Sequence, residues 1–243
     1  MTNKALEEFI NTYQKYYFCV DANEKAYGKE KLGISIIHPT KKIYEEKIIG
    51  YLRDGKQNIE TIAWKMGGNI SEDGIKTQYY EYPIENINAF CNEIDGLTLP
   101  IRDNKQISDK DLRDSYEEIL KSAKSCDLDG YGSVYIINTM FFVSKGNVPI
   151  YDYYANVAVK ALLKDCCPQD VFVGQAPGKD EYAKGGKINK LAMNMLIEYQ
   201  NYLTELAGET KYYKTEGFIS RELDQALWVY GHATKKWSYK ESE

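Results

Sequence analysis

The 243-residue sequence predicts a mostly α-helical fold, and three observations carry that prediction. Apolar side chains recur at helical spacing in one segment after another. Alternating polar and apolar runs, the mark of a half-buried sheet, are scarce. The stretch from Val134 to Val143 is apolar nearly all round, as suits a helix at the centre of a small domain, and falls well short of the roughly 18 apolar residues of a membrane span.

Taken in order, Leu6, Phe9, Ile10, Tyr13 and Tyr17 share one face and predict a helix over 4–18. Residues 19–42 carry scattered Gly and Lys around Ile34-Ser35-Ile36-Ile37, a strand or, more in keeping with its surroundings, a loop that Pro39 ends. Tyr44, Ile48, Tyr51 and Leu52 mark a second helix, and Ile59, Ile62, Ala63 and Met66 a third, stopped by Gly67-Gly68. After a polar connection over 71–83, Ile87, Phe90, Cys91 and Ile94 form a fourth helix, ended by Gly96. Ser108 is a good N-cap, and Asp109 and Asp111 suit the positive end of the helix that buries Leu112, Tyr116, Ile119, Leu120 and Ala123. Past the apolar run, Asp152 opens a helix to Lys164, and 174–179 reads as a loop. Ile188 to Leu206 make the clearest long amphipathic helix, Ser220 to Tyr230 are helical, and the polar residues from Gly231 onward are expected to fray. The expected organisation is two helical lobes, 1–107 and 108–243, or one compact domain.

Composition is that of an ordinary globular protein. With 31 basic and 36 acidic residues the formal charge is −5, so nothing global attracts nucleic acid and any such reading rests on local geometry. Cys19, Cys91, Cys126, Cys166 and Cys167 form no zinc spacing, and the adjacent last pair is poor geometry for a disulfide. With no signal peptide pattern at Met1-Thr2-Asn3-Lys4, the cysteines read as reduced thiols and the expected compartment is the cytoplasm. His38 and His232 have no partner at ligand spacing, so neither a metal site nor a nucleophilic triad is supported, and no cofactor is implied. Gly174-Gln175-Ala176-Pro177-Gly178-Lys179 lacks the spacing of a phosphate-binding loop of nucleotide hydrolases.

The candidate chemistry centres on Leu128-Asp129-Gly130-Tyr131-Gly132-Ser133 and on Val148-Pro149-Ile150-Tyr151-Asp152. Two glycines one residue apart allow a tight turn with positive φ and leave backbone N–H groups uncovered at the start of the next helix, an arrangement suited to a phosphate. Pro149 holds the chain extended, and Asp152 stands at a helix start, where aspartate is a preferred cap.

These two elements resemble the helix-hairpin-helix DNA glycosylases, in particular the oxoguanine glycosylase branch. In that family a hairpin of the Leu-Pro-Gly-Val-Gly type grips a phosphate through backbone amides, and an aspartate after a Val-Pro-Val type strand begins the next helix and serves the chemistry. Leu128, Gly130 and Gly132 match the hairpin; Val148, Pro149 and Asp152 match the second element with Tyr151 as one extra residue. Ile62-Ala63-Trp64-Lys65-Met66-Gly67 and Arg221-Glu222-Leu223-Asp224-Gln225-Ala226-Leu227-Trp228 resemble signatures of bacterial proteins with an oxoguanine-glycosylase fold. Two positions depart from the family: Val134 stands where the bifunctional members carry a catalytic lysine, and Asp129 replaces the hairpin proline.

The resemblance implies a helical bundle that binds double-stranded DNA through Gly130, Gly132 and Ser133, with Asp152 stabilising positive charge on the sugar as a flipped-out base leaves. Without the lysine, the implied activity is monofunctional base excision in DNA repair. Lys145 is the nearby substitute nucleophile, or a solvated loop lysine. Lys179, Lys184, Lys187 and Lys190 could touch phosphates, or form a merely solvated face. Trp64 and Trp228 fall in helical patterns that suit the core better than base stacking. The alternatives are a non-catalytic member of the same fold that binds DNA or a protein partner, and a helical interaction module with no DNA affinity.

Overall fold

The computed structural model describes residues 1–18, 39–65, 70–71, 74–75, 83–104, 106–128, 132–171, 187–208, 210–212 and 220–238. The helices are α1 (Asn3–Tyr13), followed by a 3-10 turn (Gln14–Phe18), α2 (Pro39–Asp54), α3 (Ile59–Lys65), α4 (Ile84–Gly96) and α5 (Asp109–Ser125). They continue with α6 (Ser133–Val143), α7 (Tyr153–Lys164), a 3-10 turn (Pro168–Asp170), α8 (Lys187–Ala207) and α9 (Arg221–Ser238). The described strand pairing is one two-residue antiparallel ladder, Ile70–Ser71 against Gly74–Ile75. The fold is therefore mostly α-helical. No helix among the described residues is long and apolar enough to cross a membrane.

The chain forms two compact units, and neither is a continuous segment. The first comprises Met1–Lys42, Tyr151–Gln175 and Glu198–Glu243, the second Ile43–Ile150 and Ala176–Ile197. The division drawn from the sequence at 107/108 falls inside the second unit, whereas the chain passes between units within α2, before α7, after residue 175 and within α8.

In the second unit α6 supplies the core. Ile136, Ile137 and Met140 to Val143 are buried, alongside Ile48, Leu52, Ile62, Ile87, Phe90, Ile94, Leu112, Tyr116 and Ile119. Trp64 meets Phe142 edge-on at 5.9 Å, a packing role. An apolar helix packed on all sides has little to fix its rotation, and here buried polar groups do so. Gln57 Nε2 donates to Thr139 Oγ1 at 3.1 Å, Thr61 Oγ1 donates to Gln57 Oε1 at 2.9 Å, and Asn138 Nδ2 donates to the Thr61 carbonyl at 3.3 Å. These directional bonds tie α6 to α3 in one orientation.

In the first unit α9 packs against α7, α1 and both 3-10 turns. Phe9 and Tyr13 meet Tyr230 at 5.5 and 4.8 Å, and Tyr17 meets Trp228 edge-on at 5.7 Å. The expectation that the chain frays from Gly231 is corrected: α9 runs on to Ser238. Gly231 is no stop signal but the point where α9 touches α7, since a Cβ there would lie 1.9 Å from the Tyr154 carbonyl oxygen. Glycine permits the approach that any side chain would block.

Candidate nucleic-acid interface

The hairpin that the sequence singles out is bounded by two well-defined helices. At its N-terminus α5 carries a full capping box: Ser108 Oγ accepts from the Asp111 amide at 3.2 Å, and Asp111 Oδ2 accepts from the Ser108 amide at 2.9 Å. At its C-terminus Asp127 takes a left-handed φ of 55°. Its N–H donates to the Lys124 carbonyl at 3.2 Å, and the Leu128 N–H to the Ala123 carbonyl at 2.9 Å. This paired arrangement satisfies the last carbonyls of the helix and turns the chain, with Leu128 buried beneath it.

Glu93 on α4 fastens the same end of α5. Its carboxylate accepts from Ser122 Oγ at 2.8 Å, Ser125 Oγ at 2.9 Å and Cys126 Sγ at 3.3 Å. The hydrogen bond from Ser122 leads in holding the Glu93 carboxyl below its usual range. The hairpin thus leaves a firm base. Asp129, Gly130 and Tyr131 lie outside the described residues.

The chain returns at Gly132, the N-cap of α6, with φ −77° and ψ 164°. Gly132 does not use the positive φ that the glycine pair allows, and its backbone is one that any residue can adopt. No side chain caps this start, as none caps α4 at Pro83. The Tyr135 and Ile136 amides donate to the Gly132 carbonyl at 2.9 and 3.1 Å, and the amides of Ser133 and Val134 meet no acceptor among the described residues. Two N–H groups at the positive end of an 11-residue helix thus have no acceptor among the described residues. Ser133 is buried, and its hydroxyl has no hydrogen-bond partner among the described residues.

Lys145 stands beyond the far end of α6, a helix about 16 Å long by its rise. There it occupies the left-handed position of the C-terminal turn, with φ 54°. Its Nζ donates to Asp103 Oδ1 at 2.9 Å, and its aliphatic stem lies where a Cβ on Gly55 would reach Cε at 3.0 Å. Lys145 is an ion-paired turn residue in this arrangement. Lys179 and Lys184 lie outside the described residues, as do the side chains of Lys187 and Lys190.

Asp152 belongs to the first unit, Gly132, Ser133 and Lys145 to the second. As expected from its position, Asp152 is the N-cap of α7: Oδ1 accepts from the Tyr154 amide at 2.9 Å and from the Ala155 amide at 3.5 Å. Around it lies a polar interior that sequence reasoning did not single out. Tyr151 is buried, accepts from Asn156 Nδ2 at 3.3 Å, and meets the Tyr199 ring edge-on at 5.6 Å. Burial pushes the Tyr151 phenol up to about 12. Tyr199 is pushed well above the usual phenol range, first by burial and then by the negative charges of Asp224 and Asp152. On α9, Asp224 pairs with Arg221, whose guanidinium also donates to Tyr17 Oη at 3.4 Å. The Arg221-to-Trp228 stretch thus supplies both charge and packing to the unit that holds Asp152. One signal could have found Asn156: an amide among Ala155, Val157, Ala158 and Val159, in an otherwise apolar run. Compared with protein-family models, with curated proteins and with solved structures, the chain finds no significant match in any of the three.

Proposed function

We propose that this chain is a helix-hairpin-helix protein of the DNA glycosylase type, which binds duplex DNA and excises a damaged or modified base by a monofunctional route. The observation that carries the reading is the open start of α6: a short connection from a firmly ended helix leads to Gly132, where no side chain caps the following amides. Backbone N–H groups at a helix N-terminus suit a phosphate oxygen. In the reaction, the glycosidic bond breaks with its electron pair going to the departing base, and water adds to the sugar carbon. The Asp152 carboxylate stabilises the positive charge that develops between these events. Val134 in place of a lysine favours water over an enzyme amine as the nucleophile.

A second reading, a non-catalytic DNA- or protein-binding member of the same fold, draws on a different observation. Asp152 Oδ1 already serves two backbone amides, and a cap accounts for that aspartate without chemistry. Single-turnover base release from a panel of damaged duplexes separates the two, run beside a salt titration of duplex binding and borohydride trapping. The proposal predicts affinity that falls steeply with salt, as phosphate contacts require, together with base release and no covalent adduct. Salt-dependent binding without release from any duplex supports the second reading. Binding that ignores salt contradicts both DNA readings.

A further inference from the structure

We propose that Tyr151 and Asn156 form a polar staple that positions the Asp152 carboxylate, so that both are positioning residues for whatever that carboxylate does. In helix-start terms Asp152 is the N-cap, Tyr151 the residue before it, and Asn156 the fourth residue of the helix. Apolar residues at those two positions commonly pack on each other and fix the angle at which the chain enters the helix. Here the same two positions are joined by a hydrogen bond, Asn156 Nδ2 to Tyr151 Oη at 3.3 Å.

The geometry makes this bond a constraint on Asp152. The Asn156 amide donates to the Asp152 carbonyl at 2.9 Å, so the side chain of Asn156 stands one turn along from Asp152 and reaches back past it to the preceding residue. The ring of Tyr151 is held in turn by Tyr199, at 5.6 Å and edge-on. Asp152 is thereby clamped between a residue fixed on its N-terminal side and a residue fixed on its helical side. Its φ of −136° and ψ of 139° aim the carboxylate at the Tyr154 and Ala155 amides.

Stability alone does not account for an amide at this place. Asn156 is 1% exposed, and its Oδ1 has no hydrogen-bond partner among the described residues. Such an unmet acceptor is a cost that the alanines and valines flanking it do not incur. A buried polar pair that breaks the local apolar pattern is expected where positioning matters more than stability.

The inference rests on the proposed role of Asp152 only for its catalytic consequence, and one experiment reads the two separately. The double variant Tyr151→Phe/Asn156→Ala removes both polar partners and leaves at 156 a side chain too short to pack on residue 151, so the staple is lost, while alanine, a strong helix former, keeps the fold. Hydrogen exchange is measured without DNA, and base release with it. The expected result is exchange about tenfold faster at the Tyr154 and Ala155 amides, with the rest of α7 and the melting temperature unchanged, as for selective loosening of a cap. Exchange at those two amides equal to wild type, or faster throughout α7, overturns the staple whatever the DNA arm shows. In the DNA arm the staple predicts a lower rate of base release at unchanged duplex affinity. Absence of release by the wild type overturns the catalytic reading of Asp152 and leaves the exchange result to judge the staple.

Discussion

Two helices of this chain begin in opposite ways. α7 closes its own start: Asp152 supplies a carboxylate to the Tyr154 and Ala155 amides, and Tyr151 and Asn156 hold that carboxylate from both sides. α6 starts at Gly132 with no side-chain cap, and the Ser133 and Val134 amides meet no acceptor among the described residues. Both ends carry the partial positive charge of aligned peptides. Where the negative partner is internal, the helix end is complete in isolation. Where it is not, the helix end is suited to an anion from outside. The proposed function assigns the phosphate to the open start and the cationic sugar to the closed one.

The largest effect that would break this comparison lies at the closed start. Asp152→Asn keeps the cap, because asparagine caps about as well as aspartate, but removes the negative charge. Single-turnover base release is expected to fall by about a hundredfold or more, with duplex affinity and melting temperature little changed. Equal rates in the two proteins would reduce Asp152 to a cap and make the two starts differ in structure alone.

A smaller effect sharpens the comparison from the far side of α7. Gly231 lies against the carbonyl of Tyr154, in the first turn of the helix that Asp152 caps. Gly231→Ala is expected to force α9 away from that turn and lower unfolding stability by about 2 kcal/mol, despite the better helix propensity of alanine. Urea denaturation checks this, and a neutral or stabilising outcome would show that the crossing has slack.

Much of this architecture can be read in the sequence, and the failures have physical causes. The caps at Ser108 and Asp152 are local, set by residues a few positions apart, and both are found as expected, with Asp111 completing a box at Ser108. The apolar run of α6 is equally explicit. The ends of helices are harder to read where the left-handed turn residue is not glycine. Asp127, Lys145 and Asp165 all hold that conformation, and their identities announce it weakly. Gly231 misleads in the other direction, because a glycine that breaks a helix and one that admits a neighbouring helix look alike in one sequence. The two units interleave along the chain because α9 packs with both α7 and α1, a long-range choice that no local pattern encodes. Of the candidate site, the positions of Gly132 and Asp152 at helix starts were legible. The Tyr151–Asn156 bond and the pairing of Lys145 with Asp103 depend on three-dimensional contact and were not.

The open start of α6 is the central claim, and Gly132→Asp tests it most directly. The φ of −77° and ψ of 164° at Gly132 accept an aspartate, so the variant gives α6 the kind of internal cap that α7 already has. Duplex affinity is measured at fixed salt beside a melting curve, with Gly132→Ser as the uncharged cap. The account predicts a melting temperature equal to or slightly above wild type, and affinity lowered roughly tenfold or more by Asp as the carboxylate takes the amides from the phosphate. Serine is expected to weaken binding in the same direction and by less. Undiminished affinity in a folded Gly132→Asp protein would contradict the claim that these amides receive DNA.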